Sequence, residues 1–475
     1  MDLPHYDLCV IGSGSGNSLL DERFSSMKVA LVDKPLKTMP GKPGVFGGTC
    51  LNVGCIPTKM FVHPADLLAA RTEASKLGIE LPGGRADWSA VRDRIFGRID
   101  SISSGGKQWR EQNEHITLYE GEARFTGERT LGVAGGKLTA DRFVIATGSR
   151  PVLPQVSGID QVKIHTSDTI MRLEKLPRSM IIVGGGFVAA EFAHVFASFG
   201  VRVTVINRSD ALLRHEDGEV SRRFTNLMSR RIPVRLNQEL VSFESDGDGD
   251  GSIFLLTRDA DGIDYEYDAE VVLVATGRTP NGDTMNLSAA GIETDADGYI
   301  KVDGQQRTTA EGVWALGDVA SKWQLKHVAN HEMRTVQHNL LHPDSPIESD
   351  HRYVPHAVFS HPQVASVGLT EEQATEQGVE FVSTVQDFGS VAFGWAMEDQ
   401  DHFVKLLADP KSGTLLGAHI IGPEASILIQ PLIQAMSFGL GVRQMARGQY
   451  WIHPALTEVI ENALLSLPIP ADELG

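Results

Sequence analysis

Tyr6-Asp-Leu-Cys-Val-Ile11-Gly12-Ser-Gly14-Ser-Gly16-Asn17 runs an apolar stretch straight into three alternating glycines. The run Tyr6–Ile11 is short, apolar and stopped by glycine, which predicts a buried strand. A helix to about Phe24 is expected next. Val29-Ala-Leu-Val32 predicts a second strand, closed by Asp33, 21 residues after Gly12. Strand, glycine turn, helix and strand make a dinucleotide-binding unit. Gly12, Gly14 and Gly16 let the backbone approach a pyrophosphate at a helix N-terminus, and Asp33 stands where a carboxylate bonds a ribose hydroxyl. One departure is Asn17, which replaces the third glycine of the Gly-x-Gly-x-x-Gly pattern. Cys9, inside the first strand, reads as a buried structural thiol.

The same plan returns further along. Met180-Ile-Ile-Val183 predicts a strand, Gly184-Gly-Gly186 the turn, and a helix is expected to about Phe199, stopped by Gly200. Val201-Arg-Val-Thr-Val-Ile206 follows as a strand, but no acid closes it. Asn207-Arg208 stands there instead, with Arg214 six residues on. Cations at this place suit a 2′-phosphate, so NADPH rather than NADH is expected on Gly184, Gly186, Arg208 and Arg214. The fold class is therefore α/β, with two Rossmann-like units.

Between the units lies Gly47-Gly-Thr-Cys50-Leu-Asn-Val-Gly-Cys55-Ile-Pro-Thr-Lys59, holding two of the three cysteines. Residues five apart on a regular helix are about 8.6 Å apart at Cα, and a disulfide wants roughly 4.4–6.8 Å. Cys50 and Cys55 can therefore bridge only where the helix is broken. Gly54 permits the break and Pro57 loosens the same turn. A strained, reducible disulfide at a disrupted helix start is expected, and a helix N-terminus favours the reactive thiolate. A metal site would need more ligands; His63 is the nearest other soft one, so no metal is expected.

Composition narrows the classes. The 475-residue chain is long enough for several domains, and its net charge is −18. That charge argues against nucleic acid and anionic membranes as partners. The start, Met1-Asp-Leu-Pro-His-Tyr-Asp, lacks the basic, apolar pattern of a secretory signal, and no apolar run reaches the length of a membrane span. A redox pair in a reducing cytoplasm fits three cysteines better than a secreted framework does. Asp246-Gly-Asp248-Gly-Asp250-Gly251 looks like half a calcium loop, but Thr257 replaces its closing glutamate, so a hairpin turn is expected.

With two nucleotide units and a dithiol, the chain resembles the glutathione reductase-like, pyridine nucleotide-disulfide oxidoreductase family of flavoproteins over nearly its full length. Ala146-Thr147-Gly148 and Ala275-Thr-Gly277-Arg-Thr-Pro-Asn281 are similar to the family's strand ends where the nucleotide domains join. Thr309-Ala-Glu-Gly-Val-Trp-Ala-Leu-Gly317-Asp318 is similar to its second flavin motif, so Asp318 is expected at the ribityl chain, with Thr147 and Gly148 on FAD and Gly277 on NADPH. Lys59 and Glu191 stand where the family pairs a lysine with a glutamate near the flavin. His453-Pro-Ala-Leu-Thr-Glu458 is similar to its catalytic His-Pro…Glu motif, with Ala455 where threonine is usual. The resemblance implies an obligate homodimer in which His453 reaches the other subunit's cysteines.

The resemblance also implies the chemistry. Electrons pass from NADPH through FAD to the Cys50–Cys55 disulfide. Cys50 attacks a small thiol disulfide, Cys55 rests as the thiolate against the flavin, and His453, oriented by Glu458, handles protons. Lipoamide dehydrogenase-type or glutathione reductase-type activity is the alternative, and a flavin-bound scaffold with an idle thiol pair is the non-enzymatic one. No cysteine follows Cys55, which disfavours mercuric reductase and large thioredoxin reductases. The expected domains are a flavin half over 1–150 with a linking region over 279–346, an NADPH domain over 151–278, and an α+β interface domain over 347–475. Within the last, Gly422–Met436 is expected as an apolar helix kinked at Pro431.

Overall fold

The computed structural model of the chain describes residues 3–245 and 251–469. Its first sheet has His5–Ile11 at the centre, parallel to Val29–Asp33 on one side and to Gly136–Ile145 on the other. Ile116–Glu120 extends the parallel part beyond Val29–Asp33, while Thr130–Val133 and Ala123–Gly127 add antiparallel strands at the opposite side. Val313–Ala315 returns from far along the chain to pair with Gly136–Ile145. The near-continuous apolar sequence of the central strand follows from its burial on both faces.

After Gly16 the expected helix is not formed. The chain makes short 3₁₀ turns at Ser15–Leu19 and Glu22–Phe24. The cause is local: the Asp21 carboxylate accepts the Arg23 backbone N–H and pairs with the Arg23 guanidinium, which caps a fresh turn and ends the first one. The side chain of Asn17 lies outside what the structure describes.

The second sheet is wholly parallel, in the order Val234–Arg235, Arg202–Ile206, Ser179–Val183, Val271–Val274, Ile164–His165. The helix Phe187–Ser198 begins at Gly186 and stops before Gly200, whose φ of +93° suits glycine. Ser149–Pro151 and Arg278–Pro280 pair antiparallel where the chain passes between the two sheets. Gln238–Ser245 and Ile253–Asp259 pair antiparallel; the aspartate-glycine run where the hairpin turn is expected falls on residues 246–250, outside the described residues.

The last region is a five-stranded antiparallel sheet in the order His356–Val358, Val364–Gly368, Leu415–Ile421, Phe403–Ala408, Val382–Asp387. Helices follow at Ala425–Leu428 and Gln430–Phe438. Pro431 therefore opens a new helix rather than kinking one. Its missing N–H costs nothing in the first turn, so the break falls before it, at Ile429. No described helix is long and apolar enough to cross a membrane.

These layers share cores. Phe61 of the helix Cys55–Lys76 stacks on Trp88 with ring centroids 5.1 Å apart, and Trp88 also meets Phe196 and Phe199. Full burial of one such ring stabilises by about 2 kcal/mol, so the cluster clamps the cysteine-bearing helix onto Phe187–Ser198. Polar ties join the second sheet to the last. Lys405, 3% exposed, reaches Asp217 at 3.0 Å and Glu371 at 2.5 Å, and Glu216 accepts His356 at 2.7 Å and Ser366 at 2.6 Å. Glu216 and Asp217 directly follow the loop of Arg208 and Arg214, so these ties anchor that loop to the final sheet.

Candidate active site

Gly12 takes a φ of +116°, and a Cβ there would overlap the Ala146 carbonyl. A Cβ at Gly16 would overlap the Ala146 side chain. Both glycines let the turn lie flat on the strand end Ala146-Thr147-Gly148. Gly48, with φ +71°, lies so close to Gly14 that its Cβ would sit 2.7 Å from the Gly14 Cα. This contact brings the cysteine segment up against the phosphate turn. Ser13 tightens it, because its hydroxyl accepts the Gly47 N–H at 2.8 Å while its own N–H bonds Asp33 Oδ1 at 3.0 Å. Asp33 thus holds the turn with one oxygen. Burial pushes its carboxyl above the usual range.

The helix break falls where the cysteine spacing requires it. Gly48–Asn52 is one short helix, Val53 and Gly54 are out of register, and Cys55–Lys76 is the next. Asn52 secures the turn through bonds from Nδ2 to the Phe46 and Gly48 carbonyls, both at 2.9 Å. Cys50 and Cys55 are free thiols in contact. The Cys50 thiol is lowered to about 7. The hydrogen bond from Cys55 is the largest cause; the Lys326 charge and the Ile56 N–H at the new helix start add to it, against burial. Cys55 is raised as the donor of that bond and by burial. The bond between the two thiols thus shifts them in opposite directions, Cys50 down and Cys55 up.

The second turn repeats the first. A Cβ at Gly184 would overlap the Ala275 carbonyl, whereas Gly186, at the helix start, faces open space. Asn207 is buried under Gly185, and its Nδ2 bonds the Ser209 and Ala211 carbonyls at 3.3 and 2.9 Å. The residue in the acid's usual place therefore shapes the loop that presents Arg208 and Arg214. Both arginines are exposed, and neither has an ion-pair or hydrogen-bond partner among the described residues. Gly277, φ +134°, also faces open space.

One continuous cleft of about 2620 Å³ is lined by both glycine turns, Cys50, Cys55, Lys59, Glu191, Arg208, Arg214 and Asp318. Asp318 accepts the Ser149 hydroxyl at 2.7 Å, and Ser149 in turn accepts Arg278 Nε at 2.8 Å. Lys59 and Glu191 do not form the expected ion pair. Phe359 intervenes: its ring lies under the Lys59 ammonium at 3.9 Å, and its N–H bonds Glu191 Oε1 at 2.9 Å. Burial raises the Glu191 carboxyl to about 7, reinforced by Cys55 and opposed by that N–H and by Lys59. Phe359 and Ser149 carry no motif that would have marked them.

His453 is not in this cleft. Its Nδ1 meets Glu458 Oε1 at 2.7 Å, and its side chain is 69% exposed. Glu458 stands in the first turn of Thr457–Ser466, where its second oxygen accepts the Ala455 N–H at 3.3 Å. The His453 bond holds the Glu458 carboxyl below its ordinary value. Ile427, Phe438, Tyr450 and Ile452 are exposed on the same part of the chain.

Two dinucleotide turns opening onto one dithiol define an oxidoreductase that moves electrons between a nucleotide and a disulfide. The chain belongs to the pyridine nucleotide-disulphide oxidoreductase family, whose model matches residues 6–332, with its dimerisation domain over residues 354–464. That domain supports a homodimer, and the family uses FAD and NADPH. The chain is similar to mycothione reductase of Mycobacterium tuberculosis (strain CDC 1551 / Oshkosh), 50% identical over 97% of this chain and 99% of the relative. It is similar to dihydrolipoyl dehydrogenase of Halobacterium salinarum (strain ATCC 700922 / JCM 11081 / NRC-1) at 33% identity, covering 96% and 95%. Among solved structures it is similar to the HOCl-induced flavoprotein disulfide reductase RclA from Escherichia coli, with TM-score 0.82 and 25% identity, covering 97% of this chain and 100% of that one.

Proposed function

We propose that the chain is an NADPH-dependent FAD enzyme that reduces a low-molecular-weight thiol disulfide, mycothione, to two thiols. The observation that carries the reading is the broken helix that holds Cys50 and Cys55 in contact inside a cleft shared by both glycine turns. The choice of mycothione rests on the 50% identity to a mycothione reductase over 97% of the chain. Residues 1–150 and 279–346 would form the flavin and linking regions, 151–278 the NADPH domain and 347–475 the interface domain.

The residues fit both cofactors. Gly12, Gly14, Gly16 and Gly48 leave a cradle that side chains would fill, and Asp33 Oδ2, Thr147, Gly148, Lys59 and Asp318 would complete the FAD site. Gly184, Gly186 and Gly277, with the unpaired Arg208 and Arg214, would hold NADPH and its 2′-phosphate. When bound, the two cofactors supply the electron pair that opens the Cys50–Cys55 disulfide.

The chain's own groups do the rest. The Cys50 thiolate attacks one sulfur of the substrate, forming a mixed disulfide and releasing the first thiolate. His453 of the partner subunit, as imidazolium, gives that thiolate its proton. The now neutral imidazole takes the Cys55 proton; Cys55 attacks Cys50 Sγ, reforms the internal disulfide and releases the second thiolate, which receives the same proton. Glu458 keeps His453 Nδ1 engaged so that Nε2 faces the sulfur. NADPH oxidation is measured with mycothione, glutathione disulfide, lipoamide and trypanothione, and with NADH in parallel. Turnover with mycothione and NADPH is expected, and Cys50→Ser abolishes it; activity confined to lipoamide and NADH would overturn the reading.

A further inference from the structure

The first glycine turn lacks part of what a pyrophosphate needs. A full helix would gather the aligned dipoles of its peptides at that point, but Ser15–Leu19 is a 3₁₀ turn of 5 residues and contributes little. Gly12–Gly16 itself carries no charged side chain. Lys34, which follows Asp33, is paired with Glu122 at 2.6 Å. Lys326 brings a cation to the turn from far along the chain. Its ammonium donates to the Ser15 hydroxyl at 3.1 Å, and the lysine is half-buried in the wall of the cleft.

The backbone that carries this lysine is fixed from two sides. Lys326 is the first residue of the 16-residue helix Lys326–Leu341. Gln337 of that helix donates to the Leu19 carbonyl at 2.7 Å, and Glu332 accepts the Gly317 N–H at 2.7 Å. The helix is therefore tied both to the Ser15–Leu19 turn and to the turn that carries Asp318. The place is costly for a lysine. A helix start has partial positive charge, and this first turn holds no acid. Among the described residues no carboxylate pairs with the ammonium. The two carboxylates nearest in role are engaged elsewhere, Asp33 by the Ser13 N–H and Asp318 by the Ser149 hydroxyl. A half-buried cation so placed fits an anion from outside the chain.

We propose that Lys326 is a further FAD-binding residue, whose ammonium offsets the negative charge of the pyrophosphate on the Gly12–Gly16 turn. The inference rests on the first glycine turn being the FAD site and deepens that reading by naming a cation for it. The bare glycine backbone offers N–H groups to phosphate oxygens but no net charge. Lys326 supplies the charge, and its bond to Ser15 keeps the ammonium at the turn.

The test uses the FAD-loaded enzyme and no disulfide substrate. The protein is diluted at low salt and at about 1 M KCl, and the recovery of free-flavin fluorescence gives the rate of FAD release. K326M is expected to release FAD roughly five- to tenfold faster than native at low salt, with the ratio shrinking to about twofold at high salt. K326Q, which keeps a donor for Ser15 without the charge, is expected to follow K326M, and K326R to stay within about threefold of native. Should K326M purify without FAD, K326Q and K326R carry the comparison. Equal release from K326M and native at low salt overturns the proposal. A difference that salt does not narrow overturns it too, as does recovery of the native rate in K326Q, since either result assigns Lys326 to tying Ser15 alone. A native chain that purifies without flavin would instead refute the FAD reading, and the proposal with it, while a failure of mycothione as substrate touches neither.

Discussion

Glu191 sits where a carboxylate is costly. Its helix is packed into the aromatic cluster, Phe359 separates it from the Lys59 ammonium, and the Cys55 sulfur lies near. Burial raises its carboxyl to about 7 from an ordinary 4.5. An acid whose folded value is raised binds more protons folded than unfolded, so its contribution to stability is present below the unfolded value. That contribution is lost as pH rises from about 4.5 through about 7. Glu191→Gln, which cannot ionise, is expected to melt close to the native protein at low pH and above it beyond neutrality. Melting temperatures across pH check this. A gap that stays constant with pH would show that Glu191 is not the titrating group. The cost is tolerable if the protonated acid serves the dithiol, since a neutral neighbour leaves Cys55 free to ionise when it must resolve the mixed disulfide.

The cysteine-bearing element is set by a close backbone approach more than by helix propensity. Gly48 combines a left-handed φ with a position where Cβ would reach the Gly14 backbone. Gly48→Ala is expected to destabilise by about 1–3 kcal/mol through strain and displacement and to weaken FAD retention, because it pushes the thiols off the phosphate turn. Gly97→Ala, at an exposed position in the helix Trp88–Glu111 with open space around it, is expected to stabilise by about 0.5–1 kcal/mol instead. Thermal melts with FAD release as a second signal separate the two. The same contrast explains what could be read from the sequence. Gly12, Gly184 and Gly54 were legible because turns and breaks need glycine at fixed offsets from strands and cysteines. The helix expected after Gly16 was not, because a single Asp21–Arg23 cap outweighs a generic motif. Lys59 and Glu191 were legible as neighbours but not as partners, since Phe359 comes from a segment far away in sequence.

At the scale of the whole molecule the site is divided. The cleft is lined by both glycine turns and the two thiols, yet the proposed acid–base pair His453–Glu458 lies outside it and faces outward beside exposed Tyr450 and Ile452. An exposed histidine fixed by a carboxylate is an arrangement for meeting something on another surface, and the dimerisation domain that carries it supplies a second copy with twofold exchange. If His453 of one subunit serves the thiols of the other, defects in the two parts should complement. Cys50→Ser and His453→Ala are each expected to be inactive as homodimers. When equal amounts are unfolded and refolded together, half the dimers are mixed and each has one intact site, so activity should return to about a quarter of native. If His453 acted within its own subunit, every mixed dimer would carry one subunit lacking the thiol and one lacking the histidine, and mixing would restore nothing. Refolding the native protein alone under the same conditions sets the scale. The outcome bears on more than one residue, because a site shared in this way makes the monomer catalytically incomplete and places half of its chemistry under the control of association.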